Sequence, residues 1–191
     1  TYWLPRLRET FAPQPDGVSD EAFYRAINRV RPSYIRVEAD EVTYNLHIFL
    51  RFEMENLMLE GKVRIADLPE LWNAKMVEYL GVRPPNDSLG VLQDVHWSSG
   101  LMGYFPTYSL GNLLSTQFYG QAVAEVPEIP AEIERGEYAS LLGWMREKIH
   151  TRGAMETPAE LVQRVTGGPI RTEPFLQYVR QKYGEIYGIA V

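Results

Sequence analysis

Gly90-Val91-Leu92-Gln93-Asp94-Val95-His96-Trp97 places an amide, a carboxylate, an imidazole and an indole within five positions, bracketed by apolar residues and glycine. Such a stretch reads in two ways. It is a buried polar cluster tying loops together, or it is part of a site. In the second reading His96 holds a substrate carbonyl or stabilises charge, while Asp94 or Gln93 fixes its tautomer. Tyr104 and Tyr108 follow within Gly103-Tyr104-Phe105-Pro106-Thr107-Tyr108. Each phenol is either a core group with a backbone partner or a donor to an oxyanion. Upstream, Ile35-Arg36-Val37-Glu38-Ala39-Asp40 puts Arg36 and Asp40 four apart, hence on one face if that segment is helical. They form an ion pair on a solvated face, or Arg36 offers its planar guanidinium to a carboxylate ligand and Asp40 orients it from behind.

Around these two stretches the chain reads as mainly helical, with short punctuated connections. Ser19 is a helix N-cap with Asp20 and Glu21 in the first turn; Phe23, Ala26, Ile27 and Val30 recur at helical spacing until Pro32. Residues 33–60 contain no Gly or Pro, and Leu46, Phe49, Leu50, Glu53 and Leu57 recur at three- and four-residue steps, so one long helix or two in tandem are expected. Asp67 and Glu70 form a capping-box pattern for a helix ending at Gly81, with a short strand possible near Lys62 to Ile65. Residues 82–90 read as a loop and 91–109 as irregular. Helical spacing returns over Leu110 to Val126, around Leu141 to Ile149, from Thr157 to Gly167, and through Phe175, Leu176, Val179 and Tyr183. No repeat or linker divides the 191 residues, so one helical portion without an internal boundary is expected.

Composition narrows the function classes. With 45% hydrophobic and 23% charged residues the chain is an ordinary globular sequence able to bury about 70% of its unfolded surface. A net charge of −6 gives no reason to expect nucleic acid or an anionic membrane as partner. No apolar run approaches the roughly 20 residues of a membrane span. The absence of cysteine rules out disulfides and thiolate metal ligands, and fits a reducing cytoplasm and, weakly, a heat-adapted source. The start, Thr1-Tyr2-Trp3-Leu4-Pro5-Arg6, has no signal pattern and reads as the middle of a longer polypeptide, with aromatic residues ready to pack on a neighbour. Of the three histidines, His47, His96 and His150, no two lie within four positions, so no helical histidine pair for zinc is present. Walker, dinucleotide-binding and nucleophile-elbow motifs are missing as well.

Ile35-Arg36-Val37-Glu38-Ala39-Asp40 matches I-R-x-x-A-D, and Gly90 to Trp97 matches G-x-x-Q-D-x-H-W, in that order. On these motifs, and on Tyr104 to Tyr108 with Leu110-Gly111-Asn112, the chain resembles the carboxypeptidase Taq family of zinc metallocarboxypeptidases. The resemblance implies a multi-helical fold forming one wall of a deep groove, similar to the neurolysin group. It implies removal of C-terminal residues from peptide substrates by a homodimeric enzyme. In that family a H-E-x-x-H helix and a later glutamate bind zinc. Neither is present, so the chain looks like the C-terminal part, relying on a missing N-terminal part for zinc and binding none alone. By resemblance, Arg36 meets the substrate carboxylate. His96 contacts the substrate or the tetrahedral intermediate, and Asp40, Gln93 and Asp94 act as supports; on the residues alone, Tyr104 is the candidate catalytic phenol and Tyr108 a candidate substrate-binding one. The alternative is a non-catalytic helical interaction domain that kept the fold and lost the chemistry.

Overall fold

The computed structural model describes residues 2–14 and 16–190, and among these the secondary structure is helical with no strand. The described residues cluster into two compact units, 27–111 and 1–26 with 112–191. No helix among them is long and apolar enough to cross a membrane.

The unit 27–111 is built on α3 (Tyr44–Leu59) and α4 (Leu68–Leu80), numbered after α1 (Trp3–Thr10) and α2 (Asp20–Ile27). Leu68, Trp72, Met76 and Leu80 recur every four residues, so they lie along one side of α4, where they pack on Leu50 and Met54 of α3. Each such side chain contributes roughly 1.5–3 kcal/mol by leaving water. Trp97 and Val91 close this core from the loop that follows α4. Gly81, in the left-handed conformation at φ 68°, ends α4 and donates its N–H to the Val77 carbonyl.

Three expectations in this unit are corrected. The stretch 33–60 is not continuously helical: it contains a 3-10 turn, Arg36–Glu38, an extended Ala39, and α3 beginning only at Tyr44. The break lies in Asp40, whose carboxylate accepts the backbone N–H groups of Arg31, Val42 and Thr43 and the Thr43 hydroxyl, at 2.9–3.0 Å. Those local bonds compete with helix formation. In place of a strand near Lys62 to Ile65, the left-handed Gly61 turns the chain into a 3-10 turn at Ile65–Asp67. The expected capping box does not form, because Asp67 is engaged by Arg64 through two bonds of 2.7 Å and leaves the α4 N–H groups uncapped.

The other unit holds most of α5 (Pro106–Glu125), with α6 (Ile129–Glu134), α7 (Ala139–Lys148), α8 (Pro158–Thr166) and α9 (Glu173–Tyr187). Ala122, Ile129, Trp144 and Val165 form its core, with Phe118, Leu141, Met145 and Leu161 packed against them. The capping box of Thr157 and Glu160 forms as the sequence indicates, and Gly167 at φ 74° ends α8. Buried Gln117 fastens the next connection, donating to Thr166 Oγ1 and the Pro169 carbonyl and accepting from Arg171 N. α1 and α6 carry no strong sequence signal. Trp3, expected to await a neighbour, donates its indole N–H to the Tyr138 hydroxyl at 2.9 Å and stays largely exposed.

Candidate functional site

The polar stretch after α4 is positioned by a tight loop. Asn86 caps a 3-10 turn at Asp87–Leu89, and Gly90 follows in a conformation that brings its Cα against the chain. A Cβ at Gly90 would sit 3.2 Å from the Asn86 carbonyl oxygen and 3.5 Å from the Trp72 ring, so a side chain there has to displace backbone. Gln93 then docks by its amide: Nε2 donates to the carbonyls of Tyr34, Leu89 and Gly90, while Oε1 accepts from Arg36 N and Arg51 Nη2.

Asp94 is the centre of the arrangement. Its Oδ1 accepts from Arg36 Nε at 3.2 Å and Nη2 at 2.8 Å; its Oδ2 accepts from Arg51 Nε at 2.8 Å and lies 2.6 Å from Arg51 Nη2. One carboxylate is therefore shared by two buried guanidinium groups. Burial opposes charge on Asp94, yet the Arg36 bonds and the Arg51 charge hold its carboxyl below the ordinary range. Burial lowers Arg51 to about 10, partly offset by Asp94, so it stays protonated at neutral pH. Arg36 is raised: burial acts against it, and the bonds to Asp94 and to the Tyr44 hydroxyl outweigh burial. Arg51 also donates to the His47 carbonyl and lies over the Trp72 ring.

These contacts change the expected geometry of Arg36. Its partner is Asp94 rather than Asp40, and Asp40 serves as the cap described above. Arg36 is only 5% exposed, with Nε, Nη1 and Nη2 all engaged. Those bonds use three of the five N–H donors of the guanidinium and fix its plane.

The other sequence-selected residues gather beside this cluster. His96 Nε2 lies 3.1 Å from the Tyr108 hydroxyl, and Nδ1 is buried without a hydrogen bond, 3.8 Å from Asp94 Oδ1. A proton on Nδ1 points toward a carboxylate, which favours that tautomer and leaves Nε2 to accept from Tyr108. Burial raises the Tyr108 phenol above its usual value and keeps it a neutral donor. The His96 ring packs 4.3 Å from Phe105 and 5.6 Å from Tyr104, centroid to centroid. Tyr104 is 44% exposed, and its hydroxyl has no protein partner among the described residues. Trp97 donates to Glu55 Oε1 at 2.9 Å and meets Trp72 edge-on.

Four members of this neighbourhood escape a motif-based reading: Tyr44, His47, Arg51 and Glu55. The signal was present in α3, where His47, Arg51 and Glu55 recur every four residues within an otherwise apolar run. Charged residues spaced in that way share one face and ask for buried partners. Among the described residues no three His, Asp or Glu side chains gather as a group able to hold a metal ion.

Comparison with known proteins follows the same residues. The family described as carboxypeptidase Taq (M32) metallopeptidase matches residues 1–183. Thermostable carboxypeptidase 1 of Thermus thermophilus is 50% identical over 186 residues, covering 97% of this chain and 36% of that protein. Carboxypeptidase 1 of Bacillus subtilis is 40% identical over 189 residues, covering 97% of this chain and 38% of that protein. The M32 carboxypeptidase structure from Deinococcus radiodurans R1 superposes with a TM-score of 0.92 at 46% identity, covering 98% of this chain and 38% of that one. The chain thus spans little more than a third of the length of these relatives. With its sequence matched almost end to end and its helices superposing on a solved relative, the chain belongs to the carboxypeptidase Taq (M32) metallopeptidase family.

Proposed function

We propose that this chain is part of a longer zinc-dependent metallocarboxypeptidase that removes C-terminal residues from peptides, and that it supplies one wall of a deep, neurolysin-like groove. The observation that carries the reading is the family match over residues 1–183, joined to the exposed Tyr104 phenol beside the His96 ring at the matched motif. Among the described residues none gather into a group that fits a zinc site. The metal of this reading is held by residues outside the stretch, where it would act as a Lewis acid.

Within the chain, the work divides by burial. Asp94, Arg36, Arg51 and Gln93 fix the loop, so that His96 and Tyr108 are held in one geometry before substrate arrives. Tyr104 is the group free to donate to a substrate oxygen, either the peptide's terminal carboxylate or the oxygen that gains charge as the carbonyl is attacked. His96, with its Nε2 directed to Tyr108, orients that phenol and supports it electrostatically. Arg36 acts through Asp94 and sets the positive potential of the wall, and Asp40 holds the turn on which Arg36 sits. A cytoplasmic, homodimeric enzyme belongs to the same reading; the cysteine-free composition supports the first, and the family resemblance the second.

The test uses the full gene product, assayed by release of C-terminal amino acids from a free-acid peptide and from its amide, with and without a chelator. Hydrolysis of the free acid alone, lost on chelation and regained with zinc, is expected. Tyr104→Phe should lower kcat by about 10- to 100-fold with little change in the stability of the fold. A full-length protein that binds peptides and releases no amino acid would instead favour a helical interaction domain.

A further inference from the structure

α3 carries its residues inside out. The side turned to the unit's interior presents His47, Arg51 and Glu55 along with Leu50 and Met54, all of them buried. The opposite side presents Phe49, Phe52, Asn56 and Leu59, of which the three apolar residues are 45%, 47% and 67% exposed. Those four positions are spaced three, four and three apart, which is the spacing of a helix seam rather than of scattered surface residues. A helix apolar on both sides belongs in an interior. Spending two phenylalanines on water while burying two charges and an imidazole makes no sense for a surface helix.

We propose that the Phe49–Phe52–Asn56–Leu59 face is the seat of an apolar-faced helix from the same polypeptide, contributed by the part of the family's length that this stretch does not span. The inference rests on the reading above, that the chain belongs to a longer enzyme. Two observations select this occupant. In the superposed Deinococcus radiodurans structure the matched region is 38% of the chain, so most of that polypeptide lies outside it and is available as cover. The face itself is one helix side about 16 Å long, by 1.5 Å per residue over eleven residues. Taken as about 10 Å wide, that side offers roughly 160 Å², far short of the roughly 800 Å² per partner that a stable interface between separate molecules buries. A segment of the same chain needs no such area, because it loses little translational freedom on docking. Asn56, at one of the seam positions, would fix the register of the incoming helix as a lone polar residue does in a coiled coil.

The absence of cysteine from these 191 residues makes a clean test possible, with any cysteine elsewhere in the full gene product first replaced by serine. Phe52→Cys, and separately Leu59→Cys at the end of the seam in case the first variant folds poorly, introduce a single thiol. Its alkylation rate by a maleimide is compared between the 191-residue chain and the full gene product, with helicity checked by circular dichroism. The expected result is rapid labelling in the short chain and a rate slowed roughly tenfold or more in the full product, as for a group reached only by local opening. Equal rates in both overturn the proposal, as does a gene product no longer than the short chain. Slow labelling in the short chain that rises on dilution, with a doubled mass, also overturns it and assigns the face to a second copy. Carboxypeptidase activity measured on the same full-length preparation separates the two layers. An active enzyme with a freely labelled thiol refutes the seat, whereas an inactive protein with a protected thiol refutes the enzymatic reading and leaves the seat standing.

Discussion

His47 offers the sharpest physical test of the charged cluster. Its ring is fully buried, and neither Nδ1 nor Nε2 has a hydrogen-bond partner. Burial, with the charges of Arg51 and Arg36 adding to it, lowers its pKa to about 4, against some help from Asp40 and Asp94. In an unfolded chain the same imidazole titrates near its ordinary value of about 6.5. Between these values the unfolded chain binds a proton that the folded chain refuses, so folding stability rises with pH across the window from about 4 to about 6.5. Stability is therefore complete above about pH 6.5 and falls as the pH drops below it. At about 1.36 kcal/mol per pH unit, the loss reaches roughly 1.4 kcal/mol at pH 5.5 and about 3 kcal/mol near pH 4. His47→Leu removes this slope and also removes two buried polar atoms without partners, so its stability at pH 7.5 should equal or exceed the wild type. The assay is urea unfolding of both chains at pH 7.5, 6.5, 5.5 and 4.5, read as the difference in free energy between them. Every other ionisable group is common to both chains and cancels in that difference. Parallel curves from pH 6.5 to 4.5 would show that His47 is hydrated or already charged, and would refute the account of the cluster as dry and net positive.

Further perturbations probe other parts of the chain. Asp94→Asn leaves two buried guanidinium groups without their shared anion and should cost roughly 3–5 kcal/mol, seen as a lower Tm. Losing less than about 1 kcal/mol would mean the arginines are hydrated. Tyr108→Phe should move the His96 Nε2 resonance in nitrogen NMR while unfolding stability changes by only about 1 kcal/mol; an unmoved resonance would break the assigned pairing. Gln117→Leu strands the Arg171 N–H and the Pro169 carbonyl and should destabilise by about 1–3 kcal/mol, with faster hydrogen exchange confined to 166–171. Gly90→Ala should cost more than the usual surface substitution, since its Cβ meets backbone at 3.2 Å. An unchanged Tm would show that the loop gives way freely.

Periodicity carried most of the helices, because Leu68, Trp72, Met76 and Leu80, or Leu141 and Met145, repeat with the pitch of the structure that buries them. It failed between residues 33 and 43. There Asp40 diverts three backbone donors and a hydroxyl, a local competition that a count of apolar residues does not register. It also missed α6, whose six residues are too few to show a period. The candidate site divides in the same way. Gln93, Asp94 and His96 announce themselves by clustering in sequence, and Tyr104 and Tyr108 by following closely. The partners of Asp94 do not: Arg51 is 43 residues away in sequence, and the four-residue spacing of Arg36 and Asp40 suggested a pair that the chain does not make. Charge pairs across a fold are set by where the backbone brings them, and spacing along the chain speaks only for segments that are helical.

The carboxylate shared between Arg36 and Arg51 has a consequence for how this sequence can drift. Three charges from three separate segments sum to one positive charge inside the protein; losing either arginine leaves a neutral ion pair, whereas losing Asp94 leaves two cations facing each other. Substitutions at 36, 51 and 94 are therefore not independent steps. The cost of changing Asp94 depends on whether an arginine has already been lost, which couples the three positions energetically.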